Sequence, residues 1–376
     1  MPLTQTPEVL EPAVAPAEVD VTRLCELPEF DDHALVSFAQ DKETGLKAVI
    51  AVHRVNPVVP SFGATRLWHY ASTMDGVRDA LRLGRLMSYK AALAGLECGG
   101  AKGVIIAETD PHTLSPEDRR KLLNAYAARV NALGGRFVTG TDVGVSQEDL
   151  SVMKRACPSI IGFNNNSTEF TAIGVYESVK ASLEEAFGSS DPAGHSFAIQ
   201  GLGKVGNGLL ELLYEPAGAS AKIYVADIDP AQVEKIRAKY PRVIPVAPEA
   251  IAEQDVDVFS PCALSGVINA ESIPRIKARV VAGGANNQLA TEADGDALFA
   301  RGIVYAPDYV ANAGGLIAVF DEYKNPTYER SRVERSVMHI PGTLKKIFAE
   351  SRARGEAPAR VANLLAEKIF NAYGRS

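Results

Sequence analysis

Cysteine is scarce in this chain of 376 residues: Cys25, Cys98, Cys157 and Cys262 lie far apart and form no CxxC pair. Neither a zinc cluster nor a disulfide framework follows from that spacing, and four buried, reduced thiols are expected. Long apolar runs are absent too, since no stretch approaches the roughly 18 residues needed to cross a bilayer. The six histidines show no HExxH or paired spacing, so no metal is expected and each reads as a surface or capping residue. Tryptophan occurs once; Trp68 and nearby Tyr70 are expected to pack between elements. No block of Lys or Arg stands out, and 39 basic against 46 acidic residues give a net charge of −7. That balance argues against a nucleic-acid partner. Met1 to Asp20 contain neither Lys nor Arg, which a secretory or transit peptide requires. Residues 1–28 therefore read as a flexible acidic leader on a cytoplasmic protein, and the Asn165 and Asn166 sequons carry little weight there.

An apolar content of 46% with 23% charged residues is that of a globular chain, and the length suggests about two domains of roughly 150 residues. Residues 34–54 read as a hairpin turning at Asp41 to Gly45. Pro57 to Thr65 reads as a Pro/Gly-rich loop, and Asp75 to Leu93 as a helix with Asp75 as its N-cap. A glycine loop, Cys98 to Lys102, runs into a strand, and Ser115-Pro116 opens a second helix. From Thr171 onward, helices alternate with short strands at 196–200, 222–226, 256–259, 280–282 and 303–306. That alternation predicts a doubly wound parallel sheet, followed by a polar helical segment, Glu322 to Arg375.

Gly201-Leu202-Gly203-Lys204-Val205-Gly206 follows a strand, precedes a helix, and is followed 21 residues later by Asp227 at the end of the next strand. This is the context in which GxGxxG binds a dinucleotide, with backbone N–H groups and the helix dipole meeting the pyrophosphate. Asp227, with Ile228 beside it, would accept hydrogen bonds from the ribose and repel a 2′-phosphate, so NAD is favoured over NADP. The alternative is a glycine turn with no ligand and Lys204 merely solvated.

Four features of the first half resist explanation as packing. Lys90 ends an apolar-patterned helix, Lys102 sits in a glycine loop, Asp142 follows an apolar strand, and Gly99-Gly100 leave backbone donors exposed. Two lysines in one pocket lower each other's pKa, which makes one of them a plausible base near neutral pH.

The segments SYKAALAGLECGGAKGVI, TGTDVG, FAIQGLGKVG, PCALSGVIN, AGGANNQL and APDYVANAGG, in that order over about residues 35–330, resemble the amino-acid dehydrogenases that act on glutamate, leucine, phenylalanine and valine. The resemblance implies an α/β fold of two domains. Residues 29–165 with 330–376 would form an α/β catalytic and oligomerisation domain, residues 166–329 a Rossmann NAD domain, and the C-terminal helices would pack back across the cleft. It implies NAD-dependent, reversible oxidative deamination of an L-amino acid to the 2-oxo acid and ammonia by a homo-oligomer. Lys90 and Asn312 would then hold the substrate carboxylate, Lys102 would activate water, Asp142 would shuttle protons at the amino group, and Thr171 and Asn286 would lie by the cofactor.

The chain departs from that pattern in places. Ala101 stands where a third glycine is usual, and a local shift is expected there. Phe62, beside Gly63 in the substrate loop, occupies the position of a lysine in glutamate-specific members, so an unpaired side-chain carboxylate would be costly and glutamate is disfavoured. Gly140 leaves room, while Met87, Leu316 and Val319 complete an apolar wall. A branched or aromatic apolar substrate is expected. The rivals are a 2-hydroxy-acid oxidoreductase and an inactive NAD-sensing binding protein.

Overall fold

The computed structural model describes residues 21–163 and 167–373; most of the leader, and the sequon positions Asn165 and Asn166, lie outside them. Within the expected leader, Val21–Glu26 form a 3₁₀ turn, and Leu24 and Leu27 pack against the core.

In the first half the expected hairpin forms from β1 (Leu35–Asp41) and β2 (Leu46–Val52), paired antiparallel with Leu35 opposite Val52. Then come β3 (Ser61–His69), α1 (Thr73–Leu93), β4 (Gly100–Ala107), α2 (Pro116–Ala132), β5 (Phe137–Thr141) and α3 (Gln147–Lys154). The sheet order is β1-β2-β4-β3-β5, with β3 parallel to both neighbours. The stretch read as a loop around Pro57 to Thr65 is thus largely a central strand. Its small residues are a packing requirement, because a Cβ at Gly63 would lie 1.8 Å from the Ala101 carbonyl oxygen. The cap of α1 is also corrected: Ser72 is the N-cap, and its hydroxyl accepts from the Asp75 N–H. Ser115 caps α2 ahead of Pro116 as expected.

In the second half, α4 (Ser167–Phe187) leads into β6 (Phe197–Gln200), α5 (Lys204–Tyr214), β7 (Ile223–Ala226), α6 (Pro230–Lys239), β8 (Val243–Pro245), β9 (Val258–Pro261), β10 (Val280–Val281), α7 (Glu292–Ala300) and β11 (Val304–Tyr305). These six strands are all parallel, in the order β11-β10-β9-β6-β7-β8. This is the doubly wound arrangement, with its switch point at β6. The chain closes with α8 (Asp308–Ala311), α9 (Gly314–Lys324), α10 (Arg330–Val337), α11 (Ile340–Arg354) and α12 (Pro358–Tyr373). Helices α10 and α11 pack on α4, whereas α12 lies against both α1 and α7. Phe370 of α12 stacks on Tyr89 at 5.5 Å and meets His53 edge-on at 5.8 Å, and the Tyr89 hydroxyl donates to Glu367 at 2.9 Å.

Three expectations about scarce residues change. His33 and His53 are buried, not superficial. The His53 ring pairs with Asp31 at 2.9 Å, and burial pushes its pKa down to about 3, which keeps the imidazole neutral. Cys25 is exposed on the 3₁₀ turn and Cys262, just past the end of β9, is only partly covered; Cys98 and Cys157 are buried. Trp68 is 47% exposed on the tail of β3, although Tyr70 does pack, its hydroxyl donating to Asp79 at 2.7 Å. No helix among the described residues is long and apolar enough to cross a membrane.

Candidate active site

Side chains alternate along β4, and this sets the site's geometry. Ala101 points into the core shared with Tyr126 and Phe137, whereas Lys102 points to the opposite face, toward α1 and the second sheet. The extra methyl of Ala101 is therefore accommodated away from the lysine, and the local shift expected there is not needed. Gly99 and Gly100 do not expose donors to a ligand. Both are buried, the Gly100 N–H donates to the Ser88 hydroxyl at 2.9 Å, and a Cβ at Gly100 would lie 1.9 Å from the Ser88 nitrogen. Gly100 lets α1 cross β4 closely, which brings Lys90 over Lys102, whereas Gly99 makes room for the Arg54 carbonyl.

A cavity of about 280 Å³ lies where the two halves meet. Gly63, Met87, Lys90, Lys102, Gly140, Asp142, Thr171, Val205, Asn286, Asn312, Leu316 and Val319 line it, drawn from both halves of the chain. Phe62 does not: its ring is 1% exposed and packs edge-on against Phe320 and Tyr323 behind the wall. Gly201, Gly203, Lys204, Gly206, Asp227 and Ile228 also lie outside this cavity, at the mouth of the second sheet.

The Lys102 ammonium donates to Asp142 Oδ2 at 2.7 Å, and Arg66 Nε donates to the same oxygen at 2.9 Å. Arg66 is held in turn by Asp79, 2.9 Å from Nη1. Burial alone would raise the Asp142 pKa, but the Lys102 and Arg66 charges overcome it and hold the carboxyl far below its usual range. Burial lowers Lys102 below the ordinary lysine range, and Asp142 only partly offsets this. Arg66 escaped the sequence reading. Its signal was an arginine two residues after the small Gly63-Ala64 pair, and it is informative only once β3 is known to be a strand beside β5.

Lys90 donates to Asn286 Oδ1 at 3.3 Å, and Asn312 Nδ2 donates to that same oxygen at 2.8 Å and to the Gly284 carbonyl at 3.2 Å. Burial pushes the Lys90 pKa down to about 8, against the raising influence of Asp308. Both N–H groups of Asn312 are engaged, so it reaches a carboxylate by giving up one of these bonds.

The second sheet fits a dinucleotide. Gly201 has φ +89°, a conformation suited to glycine, and a Cβ at Gly206 would lie 1.9 Å from the Gly201 carbonyl oxygen, so the turn and the close helix approach both need these residues. Gly203 caps α5 without a side-chain bond, which leaves the helix N-terminus open to an anion. Asp227 accepts from the Leu202 N–H at 2.6 Å and the Asp229 N–H at 2.9 Å, which fixes the carboxylate at the end of β7 with lone pairs to spare. Ile228 and Lys204 are exposed. Among the described residues no group of three or more His, Cys, Asp or Glu is placed to hold a metal.

A dinucleotide-type sheet beside a cavity with a buried Lys–Asp pair and a further lysine suits an oxidoreductase whose small substrate carries a carboxylate. Residues 162–367 match the model of the Glutamate/Leucine/Phenylalanine/Valine dehydrogenase family, and residues 32–159 match the dimerisation domain of the same family. The chain is 39% identical to an L-tryptophan dehydrogenase of Nostoc punctiforme, over 92% of this chain and 95% of that protein. It is 39% identical to a leucine dehydrogenase of Bacillus cereus, over 90% of each. The crystal structure of an L-tryptophan dehydrogenase from Nostoc punctiforme superposes with a TM-score of 0.77 at 37% identity, covering 92% of this chain and 97% of that one. The chain belongs to the glutamate/leucine/phenylalanine/valine dehydrogenase family. It is an amino-acid dehydrogenase and uses a nicotinamide cofactor; nothing in its relatives supports the 2-hydroxy-acid oxidoreductase or the inactive binding protein.

Proposed function

We propose that this enzyme oxidatively deaminates L-amino acids with apolar side chains, branched or aromatic, and uses NAD. One observation carries the substrate class. The cations lining the cavity are Arg66, Lys90 and Lys102. Arg66 and Lys102 are already bound to Asp142. That leaves Lys90 for the substrate α-carboxylate and no lining cation for a side-chain carboxylate, while Met87, Leu316 and Val319 supply apolar surface for the side chain.

In this reading Lys90 anchors the α-carboxylate and Asn312 joins it by releasing Asn286. Lys102, in its neutral form, takes a proton from the water that attacks the imine carbon, and Asp142 exchanges protons with the departing amino group. Arg66 keeps Asp142 aimed at that group. Bound NAD supplies the hydride acceptor for Cα, and Gly201, Gly203 and Gly206 with the α5 N-terminus would hold its pyrophosphate, with Thr171 and Val205 at the inner end. Atoms balance as amino acid, water and NAD⁺ giving 2-oxo acid, ammonium, NADH and a proton. Homo-oligomerisation through the first domain is supported by its match to a dimerisation domain and by Phe38, 57% exposed on the hairpin. A cytoplasmic location is part of the reading, supported by four unpaired cysteines. Domain limits near residues 29, 165 and 330 also belong to it, with α12 returning to α1.

A panel of L-amino acids assayed by NADH absorbance tests the reading. Turnover is expected with leucine, valine, phenylalanine or tryptophan and not with glutamate; glutamate turned over as fast as these, or no signal from any, overturns it. Replacing Asp227 by Ser is expected to raise the NADPH-to-NADH ratio of kcat/KM by about tenfold, since a fixed charge facing the 2′-phosphate is removed. Gly140 lines the cavity, and a Cβ there would come 3.3 Å from the Ile161 carbonyl oxygen, a fit that needs only a small adjustment. Gly140→Ala is expected to lower kcat/KM for tryptophan and phenylalanine by about tenfold, and to change that for valine far less.

A further inference from the structure

Asp308 is a buried carboxylate that the motifs did not single out. It stands at the start of α8, four residues before Asn312, and it lines the active cavity together with Lys90. Its Oδ2 accepts from the Asn287 N–H at 2.7 Å and its Oδ1 from the Tyr305 hydroxyl at 3.0 Å. Asn287 is one of two non-glycine residues with positive φ among those described, at +54°. A left-handed residue in a site loop persists only when its neighbours hold it there. The hold is two-sided, because Gln288 Nε2 also donates to the carbonyls of Gly283 at 2.8 Å and Ala285 at 3.1 Å. The loop held in this way presents Asn286 Oδ1 to Lys90 and Asn312.

We propose that Asp308 is a positioning residue for substrate binding: it fixes the loop that carries Asn286, and its negative charge keeps the Lys90 ammonium protonated for the substrate carboxylate. The inference rests on Lys90 being the carboxylate anchor. The charged groups around Lys90 are Asp308 from α8, Lys102 from β4 and Asp142 beyond β5, and of these Asp308 is the strongest support for the lysine's charge. On its far side Asp308 borders a smaller cavity with Arg82, Arg85, Glu292 and Arg360, and the Tyr305 and Tyr309 phenols face it. Burial raises the Asp308 carboxyl above its usual range, and the Asn287 N–H and the Lys90 charge offset only part of that.

The test uses 4-methylpentanoate as a competitive inhibitor of the NAD-dependent reaction, because it has no amino group and its carboxyl does not titrate above pH 6. In the unaltered enzyme its inhibition constant is expected to rise as pH passes about 8, where Lys90 loses its proton. Asp308→Asn keeps an acceptor for Asn287 but removes the charge, so the rise is expected to begin about one pH unit lower. At pH 6 the constant should stay within about threefold of the unaltered value. A curve that superposes on the unaltered one, or that is displaced equally at every pH, overturns the proposal; the second outcome is what a purely structural role gives. If Asp308→Asn does not fold, Asp308→Ser replaces it: the hydroxyl offers Asn287 a smaller acceptor and the charge is gone, so an alkaline limb that does not move there overturns the proposal equally. Lys90→Met separates the two readings, since unchanged inhibition at pH 7 in that variant removes Lys90 as the anchor and leaves the fault with the assigned site.

Discussion

Lys102→Ala is expected to lower kcat for amino-acid oxidation by about a thousandfold while the dissociation constant for NADH stays within about twofold. Removing a positioned base typically costs 10² to 10⁴ in rate, and Lys102 is also the nearest cation to Asp142. Without it Asp142 keeps only Arg66, its carboxyl pKa rises, and both proton transfers lose their partner. The pH profile provides the finer check. In the unaltered enzyme kcat/KM climbs with pH through the Lys102 titration, which burial sets below the ordinary lysine range, because only the neutral amine accepts a proton. The variant should lose that acidic limb. Stopped-flow absorbance for kcat and fluorescence titration for NADH measure the two quantities; turnover within tenfold of normal would remove Lys102 from the chemistry.

Lys90→Met should act on KM instead. A charged hydrogen bond to a carboxylate in a partly closed cavity is worth about 3–4 kcal/mol, since its loss leaves the partner charge unpaired. That corresponds to a rise in KM of about a hundredfold to a thousandfold at neutral pH. Methionine preserves the aliphatic stem, so helix α1 and its neighbours Met87 and Leu86 should be undisturbed, and an unchanged melting temperature would confirm it. The sign of the pH effect follows from the lysine's pKa of about 8. Below it the ammonium is present and the substrate is anchored; above it the anchor is lost and KM climbs. The variant's KM should be flat over the same range.

What was legible in the sequence is what short segments encode. The glycine turn before α5, the hairpin, and the Ser115-Pro116 start of α2 each depend on a few adjacent residues. Strand β3 was hidden because a parallel strand covered on both faces gives up the alternation that marks a half-buried one, and because Gly63 and Ala64 mimic a loop. Lys90, Lys102 and Asp142 were visible as charges out of keeping with their surroundings. Their orienting partners were not: Arg66 reaches Asp142 across 76 residues of chain, and Asp308 reaches Asn287 across 21. His53 looked superficial because nothing near it in sequence foretells that Phe370 will cover its ring.

That last contact belongs to a helix with two allegiances. Through Phe370 and Glu367, α12 is fastened to Tyr89, one residue before Lys90. Through Arg360, whose Nε lies 2.6 Å from Asp296, and Asn363, which accepts from the Tyr309 hydroxyl at 2.6 Å, it is fastened to the dinucleotide half. Helix α12 thus bridges the two halves beside the smaller cavity that Asp308 borders. Any parting of the two halves that kept these contacts would pivot about α12 as covers about a spine, and Lys90 and Asn312, each near a tyrosine that α12 holds, would separate less than groups on the far side. The carboxylate-binding end of the site would then stay assembled even in the open enzyme, ready to seat the amino acid before the rest closes.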